Sequence, residues 1–278
     1  MRICTFLTPG TAAATCGVIE GERVTTVGLD VLAFLASGLS ADSGSEHDLA
    51  DVTLIAPVPK PPAIRDFFVF EQHIATARAK RGQPVPDFWY TEPVFYFSNP
   101  AAVIGTGAEV YRPAQTRQLD YELEVAAVVG AEERIVAFTV MNDWSARDVQ
   151  RAETSVGLGP AKAKDFATTL GPWLVTVDEF PGDAALLTAS VNGEERSRGN
   201  LEDMYFGWDA VLERAARDTR LCPGDVLGSG TVGSGCILES ADERWLRDGD
   251  VVTLTVEGIG SVSNTVRGSR PQALPGPA

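Results

Sequence analysis

Two glutamates one residue apart, Glu122 and Glu124, stand in the run Leu119-Asp120-Tyr121-Glu122-Leu123-Glu124-Val125-Ala126-Ala127-Val128-Val129-Gly130. Side chains alternate faces along a strand, so both carboxylates project to one side, roughly 7 Å apart, and Tyr121, Leu123, Val125, Ala127 and Val129 project to the other. The glutamate face continues as Ala126 and Val128, so the pattern predicts a strand covered on both sides. Two ionised carboxylates in such a place are costly unless a cation meets them, and a hard divalent metal is the simplest one to propose. The competing arrangement is a strand end whose glutamates face water.

Other segments carry groups that could work beside such a metal. Asp66 lies in the apolar run Ile64-Arg65-Asp66-Phe67-Phe68-Val69-Phe70, where its charge needs a partner. The run is expected to begin extended and to continue as a helix through His73, one of only two histidines. With that helix under way by Phe70, the same-face neighbours of His73 are Phe70 and Ala77, so it is either a packed core histidine or a base in dry surroundings. Ile135 to Met141 reads as a strand entering a helix, which Asn142 or Asp143 is suited to cap. Asp143, Arg147 and Gln150, spaced by four and three, would share one helix face. Lys164 stands among small residues, where an ammonium pairs with an acid, meets an anion or faces solvent. Gly228-Ser229-Gly230-Thr231-Val232-Gly233-Ser234-Gly235 lacks the Lys-Ser/Thr of a P-loop; it is either a plain turn or a backbone that approaches an anion. Glu239 follows in a short β-like piece, Cys236 to Glu239.

The surrounding chain must position these groups. Residues 1–56 carry short strand-like pieces at Gly17-Val18-Ile19 and Arg23 to Val27, then an apolar helical candidate from Asp30 to Leu39, and form a small N-terminal domain in this reading. The proline-rich stretch 57–62 favours an extended connector. Residues 63–270 are dominated by strand-like runs, with turn signals at Val191-Asn192-Gly193-Glu194 and Arg247-Asp248-Gly249-Asp250. Residues 271–278 are expected to form a flexible tail. The fold class is α+β, mostly β, with no strand-helix alternation of Rossmann type.

Composition narrows the partners. A chain of 278 residues with 44% apolar residues is long enough for a large core. Its formal net charge of -15 argues against nucleic acid or an anionic membrane and suits a cation. The N-terminus has no apolar core of signal-peptide length, and no run is long enough to span a bilayer, so a cytoplasmic location is expected. Cys4, Cys16, Cys222 and Cys236 lie far apart, without a C-x-x-C pair, as scattered thiols do.

Taken in order, Asp66-Phe67 with Gln72-His73, Asp120-Tyr121-Glu122-Leu123-Glu124, Asn142-Asp143-Trp144-Ser145-Ala146-Arg147-Asp148, Lys164-Asp165-Phe166 and Gly228-Ser229-Gly230-Thr231 resemble the fumarylacetoacetate hydrolase family over most of residues 64–268. The resemblance implies a mixed β roll with a small N-terminal domain, a homodimer, and Mg²⁺ in the site, with Ca²⁺ or Mn²⁺ as alternatives. It implies Asp66, Glu122, Glu124 and Asp143 as metal ligands, His73 as the base that activates water and Glu239 as the acid that orients it. Arg147, Gln150 and Lys164 would stabilise an oxyanion, Thr231 and the backbone of Gly230 would take a substrate carboxylate, and Tyr96 would contact substrate. The implied reaction is hydrolysis of a carbon-carbon bond in β-diketo acids. Isomerisation or decarboxylation of 2-oxo or 2-hydroxy dienoic acids is the alternative. The chain departs from the fumarylacetoacetate-cleaving pattern at Phe68, which replaces a tyrosine, and at Lys80 and Arg81, which are offset from a substrate-binding arginine. Ala163 and Asp165 replace a glycine and a serine, and the loop before Glu239 is shorter.

Overall fold

The alternation around Glu122 and Glu124 is what the core is built on. In the computed structural model, which describes residues 1–270, the strand Leu123–Val129 is buried along its whole length. Tyr121, Leu123, Val125, Ala127 and Val129 enter one hydrophobic cluster, while Ala126 and Val128 enter a second on the opposite face. The tail expected over 271–278 lies outside the described residues.

Leu123–Val129 is central in a mixed twelve-stranded sheet. On one side it pairs antiparallel with Ile135–Asp143, which pairs with Thr168–Thr176. On the other it pairs with Val226–Gly228, which runs parallel to Ile64–Phe67; Phe95–Ser98 then closes that edge. Strands of the N-terminal segment extend the same sheet, because Arg2–Leu7 pairs with Thr168–Thr176 and is followed outward by Thr15–Glu20, Arg23–Thr26 and Glu46–Asp48. The helix in this segment, Val31–Ala36, is shorter than its apolar pattern; the Asp30 carboxylate accepts from the Ala33 N–H at 2.9 Å and caps it. Val31, Phe34 and Leu35 cover the face that carries Ala126 and Val128.

The other face packs on a second sheet of five strands, ordered Glu194–Asn200, Leu186–Val191, Val251–Val256, Gly260–Arg267 and Glu109–Tyr111. Asn192 (φ 53°) and Gly193 (φ 81°) form its tight hairpin turn, both in the left-handed region that an Asn-Gly pair tolerates. A buried polar chain ties the sheets together. The Trp144 indole N–H donates to Thr169 Oγ1 (2.9 Å), whose hydroxyl donates to Asn264 Oδ1 (3.0 Å). The Asn264 amide then donates to the carbonyls of Gly105 and Ala108, each at 2.9 Å.

Two local expectations change. The helix after Asp143 begins only at Arg147, with Ala146 at its cap position, because Asn142 and Asp143 are still paired in the sheet. Asn142 Oδ1 instead accepts from the Glu122 N–H at 3.0 Å. The segment Ile237–Glu239 is a short 3-10 turn rather than a strand.

Replacing Asn264 by Ala strips one buried and one half-buried carbonyl of their donor, so Asn264→Ala should cost about 2–4 kcal/mol of unfolding free energy. Urea unfolding measures this; a change under about 0.5 kcal/mol would show that the chain does not couple the sheets.

Candidate active site

The strands that carry Asp66, Glu124 and Asp143 lie in the same sheet, and Glu122 immediately precedes the central one. Parallel pairing of Asp66 with Gly228 sets the first of these against the glycine-rich segment. A side chain on Gly228 would bring Cβ to 2.5 Å from Asp66 Oδ1, so glycine is required where the carboxylate turns inward. Asp66, Glu122, Glu124 and Asp143 each offer an oxygen within 4.8 Å of the others, and all four residues are buried.

Their charges are unequally compensated. Burial alone would raise Glu122, but Arg147 and Lys164 outweigh it and hold its carboxyl below the usual range. Arg147 Nη2 donates to Glu122 Oε1 at 2.7 Å, and the Lys164 ammonium contacts both Glu122 and Asp143. Burial and the neighbouring Asp143 charge push Asp66 well up, with Lys164 opposing; burial and the Asp66 charge do the same to Glu124. Asp66 Oδ1, Glu124 Oε2 and Asp143 Oδ1 are buried without a hydrogen-bond partner. Orphaned carboxylate oxygens converging on one point fit a hard divalent cation such as Mg²⁺, Ca²⁺ or Mn²⁺, which takes oxygen ligands.

A cavity of about 280 Å³ opens beside this cluster. Asp66, His73, Tyr96, Glu122, Glu124, Arg147, Gln150, Lys164, Gly230 and Thr231 all line it. Asp143 and Glu239 stand one layer back. The Tyr96 hydroxyl donates to Asp143 Oδ2 at 2.6 Å. His73 Nε2 lies 3.9 Å from Glu122 Oε1, and Nδ1 lies 3.0 Å from Glu239 Oε2 without the alignment of a hydrogen bond. His73 is thus the dry-surroundings residue its neighbours suggest, with an acid behind it that its helix pattern does not reveal. Arg147 Nη1 donates to Gln150 Oε1 at 3.1 Å, so these two do share a helix face; Asp143 reaches the site from the strand instead. Gly230 has φ 77°, and a Cβ there would stand 2.3 Å from the Phe67 carbonyl oxygen, so the backbone passes close to the strand bearing Asp66.

Sequence reasoning gave no role to Asp120 or Arg78. Asp120 is fully buried; its Oδ2 accepts from Arg147 Nε (2.8 Å) and the Leu238 N–H (3.0 Å), and its Oδ1 from the Ile237 N–H (2.7 Å). It therefore fixes Arg147 and the turn bearing Glu239 relative to each other. Its place two residues before Glu122, on the same strand face, was the available signal. Arg78 and Arg81 also line the cavity, while Lys80 turns away to Glu243 at 3.0 Å. Burial and the charges of Arg78, Arg147 and Arg151 lower Arg81, so this rim is cationic.

The family described as fumarylacetoacetate (FAA) hydrolase C-terminal matches residues 63–267. The oxaloacetate tautomerase YisK of Bacillus subtilis (strain 168) is 29% identical over 234 residues, covering 79% of this chain and 75% of that protein. The structure of 5-carboxymethyl-2-hydroxymuconate delta-isomerase from Mycobacterium smegmatis is similar with a TM-score of 0.78 at 27% identity, over 97% of this chain and 100% of that one. Fumarylacetoacetate hydrolase from psychrophilic Exiguobacterium antarcticum gives 0.79 at 28% identity over the same shares, 97% and 100%. With a family match that spans most of its length, the chain belongs to the fumarylacetoacetate hydrolase family.

Proposed function

We propose that the chain is a divalent-metal-dependent hydrolase that cleaves a carbon-carbon bond in short β-diketo acids. The observation that carries this reading is His73, which faces the four-carboxylate cluster through Nε2 and is backed by Glu239 at Nδ1. A base with an acid behind it, beside a cation site, is suited to activating water. A cation held by Asp66, Glu122, Glu124 and Asp143 supplies Lewis-acid polarisation of the substrate's carbonyl oxygens.

The protein groups then have separable tasks. The Glu239 carboxylate, 3.0 Å from Nδ1, would hold a proton there once the ring turns into line with it and so leave Nε2 free to take one from water. Hydroxide adds to the acyl carbonyl carbon. The bond from that carbon to the methylene breaks, its electron pair enters the pyruvyl fragment as an enolate, and His73 returns the proton to the methylene carbon. Arg147, held by Asp120, and Lys164 stabilise the negative charge that develops on the attacked oxygen, with Gln150 alongside. Thr231 and the Gly230 backbone receive the terminal carboxylate, and Tyr96 orients the substrate through its bond to Asp143. Phe68, Ile74, Phe95 and Leu238 form an apolar wall that keeps bulk water out.

A second reading is favoured by the likeness to an oxaloacetate tautomerase and to a hydroxymuconate isomerase. There His73 removes a proton from carbon 3 of a 2-oxo acid and returns one, and no carbon-carbon bond breaks. Product analysis on a panel of 3-acylpyruvates and oxaloacetate separates the two: pyruvate with a carboxylic acid marks hydrolysis, and enol-keto interconversion without cleavage marks tautomerisation. Loss of enol absorbance should require Mg²⁺ and stop on chelation. No cleavage of any acylpyruvate by metal-loaded protein would end the hydrolase reading.

Two variants test the roles. His73→Ala should lower kcat by about 10²–10⁴-fold and keep its Mg²⁺-induced rise in Tm. Glu124→Gln relieves repulsion in the metal-free protein, so without metal its Tm should exceed that of the wild type, by roughly 2–4 °C per kcal/mol of repulsion removed, whereas saturating Mg²⁺ should reverse the order. A Glu124→Gln protein that gains as much from Mg²⁺ as the wild type would remove Glu124 from the ligand set.

A further inference from the structure

We infer that His73, Cys236 and Glu239 form a second metal site, specific for a thiophilic divalent ion such as Zn²⁺, and that its occupation switches the base off. His73 Nδ1 lies 3.0 Å from Glu239 Oε2, and Cys236 Sγ lies 3.5 Å from the same oxygen. One donor atom from each of the three residues falls within 4.8 Å of the others. Bond lengths of about 2.0–2.3 Å at tetrahedral angles separate zinc donors by about 3.4–3.6 Å, so the Glu239 oxygen stands within about half an ångström of that spacing from both the imidazole and the thiol. A second observation points the same way. The His73 side chain is 6% exposed and that of Glu239 3% exposed, yet His73 Nδ1 and Glu239 Oε1 have no hydrogen-bond partner. Such orphaned donors inside a protein call for an occupant.

The donor chemistry separates this site from the neighbouring one. Four carboxylates select a hard cation, whereas nitrogen, sulfur and one carboxylate oxygen select a borderline-soft one. On binding, Cys236 loses its S–H proton to solvent, and thiolate plus carboxylate balance the dication. The three residues occupy three tetrahedral positions and leave the fourth for water. Nδ1 then carries metal instead of a proton, and Glu239 no longer orients the ring. With Nδ1 metallated, the neutral ring carries its proton on Nε2 and has no lone pair there to take one from water. The inhibition rests on the proposed role of His73 as base; the binding does not.

Co²⁺ added to the Mg²⁺-loaded protein reports on the site directly, because only thiolate ligation produces an intense near-ultraviolet charge-transfer band. The band should saturate at about one Co²⁺ per chain, fall on addition of Zn²⁺, persist in Cys222→Ala and vanish in both Cys236→Ala and Cys236→Ser. In parallel, Zn²⁺ should inhibit the wild type, and the two Cys236 variants, which turn over normally with Mg²⁺, should need about tenfold more Zn²⁺ or above for the same inhibition. Absence of the band, or its survival in the Cys236 variants, overturns the site. A Cys236-dependent band without inhibition upholds the site and removes His73 as the base.

Discussion

The structure depends on an uncompensated concentration of negative charge in its interior. Asp66, Asp120, Glu122, Glu124 and Asp143 are buried together, and among the described residues only Arg147 and Lys164 are buried as cations in contact with them. Both cations contact Glu122; Asp120 takes one further contact of Arg147, and Asp143 one of Lys164. The deficit is left on Asp66 and Glu124, whose carboxyls are accordingly pushed up by burial, with the Asp143 charge adding to the first and the Asp66 charge to the second. Buried charge of this kind survives only when the surrounding fold is stable enough to hold it and when another cation can relieve it. The two requirements explain why Glu122 and Glu124 stand at the start of a strand buried along its whole length.

That strand's register decides which chemistry the acids meet. Leu123 pairs with Asn142 and Glu124 with Met141, so the Asp143 carboxylate arrives beside Glu122 from the neighbouring strand. On the other side Ala126 pairs with Gly228, and Gly228 with Asp66, which brings the third strand in parallel. A slip of one residue in any of these ladders would turn a carboxylate to the opposite face, into the cluster built from Leu123, Val125 and the second sheet. The apolar faces on both sides therefore do more than stabilise the fold; they fix the register that makes the cluster.

How much of this was legible follows from the range of each interaction. The two-faced strand, the Asn-Gly hairpin and the extended-then-helical stretch through His73 rest on local periodicity, and the sequence carries them openly. The helix cap expected at Asn142 or Asp143 failed because sheet pairing with Thr168 and Thr169 outweighed a local capping preference. Ile237 and Leu238 read as strand because they are apolar, yet Asp120, more than a hundred residues earlier, binds their backbone N–H groups and bends them into a turn. The pairing of Glu239 with His73 and the approach of Cys236 are equally non-local. Asp120 looked like one more acid beside Glu122, and only tertiary structure reveals that its partners are a guanidinium and two amides. Motif resemblance reached most of these positions; local physics reached those whose partners are close in sequence.

With His73 in its proposed role as base, the same constellation suits hydrolysis or isomerisation, and the deciding factor in that mechanism is which atom occupies the space at Nε2. Water there leads to addition at the acyl carbon; the substrate's own carbon 3 leads to proton transfer alone. The base, the cations and the carboxylate cluster are common to both, so they cannot set the outcome. The wall can, since Phe68, Ile74, Phe95 and Leu238 determine whether a substrate's distal chain fills the cavity or leaves room for one water beside the histidine. Phe68 stands edge-on to His73, with ring centroids 5.1 Å apart, and is among the residues where the chain departs from the fumarylacetoacetate-cleaving pattern. An apolar edge at that point removes a hydroxyl that a tyrosine would offer to substrate or water. In the proposed mechanism reaction choice is therefore governed by packing around the histidine, and the charged groups set only how strongly the developing negative charge is held.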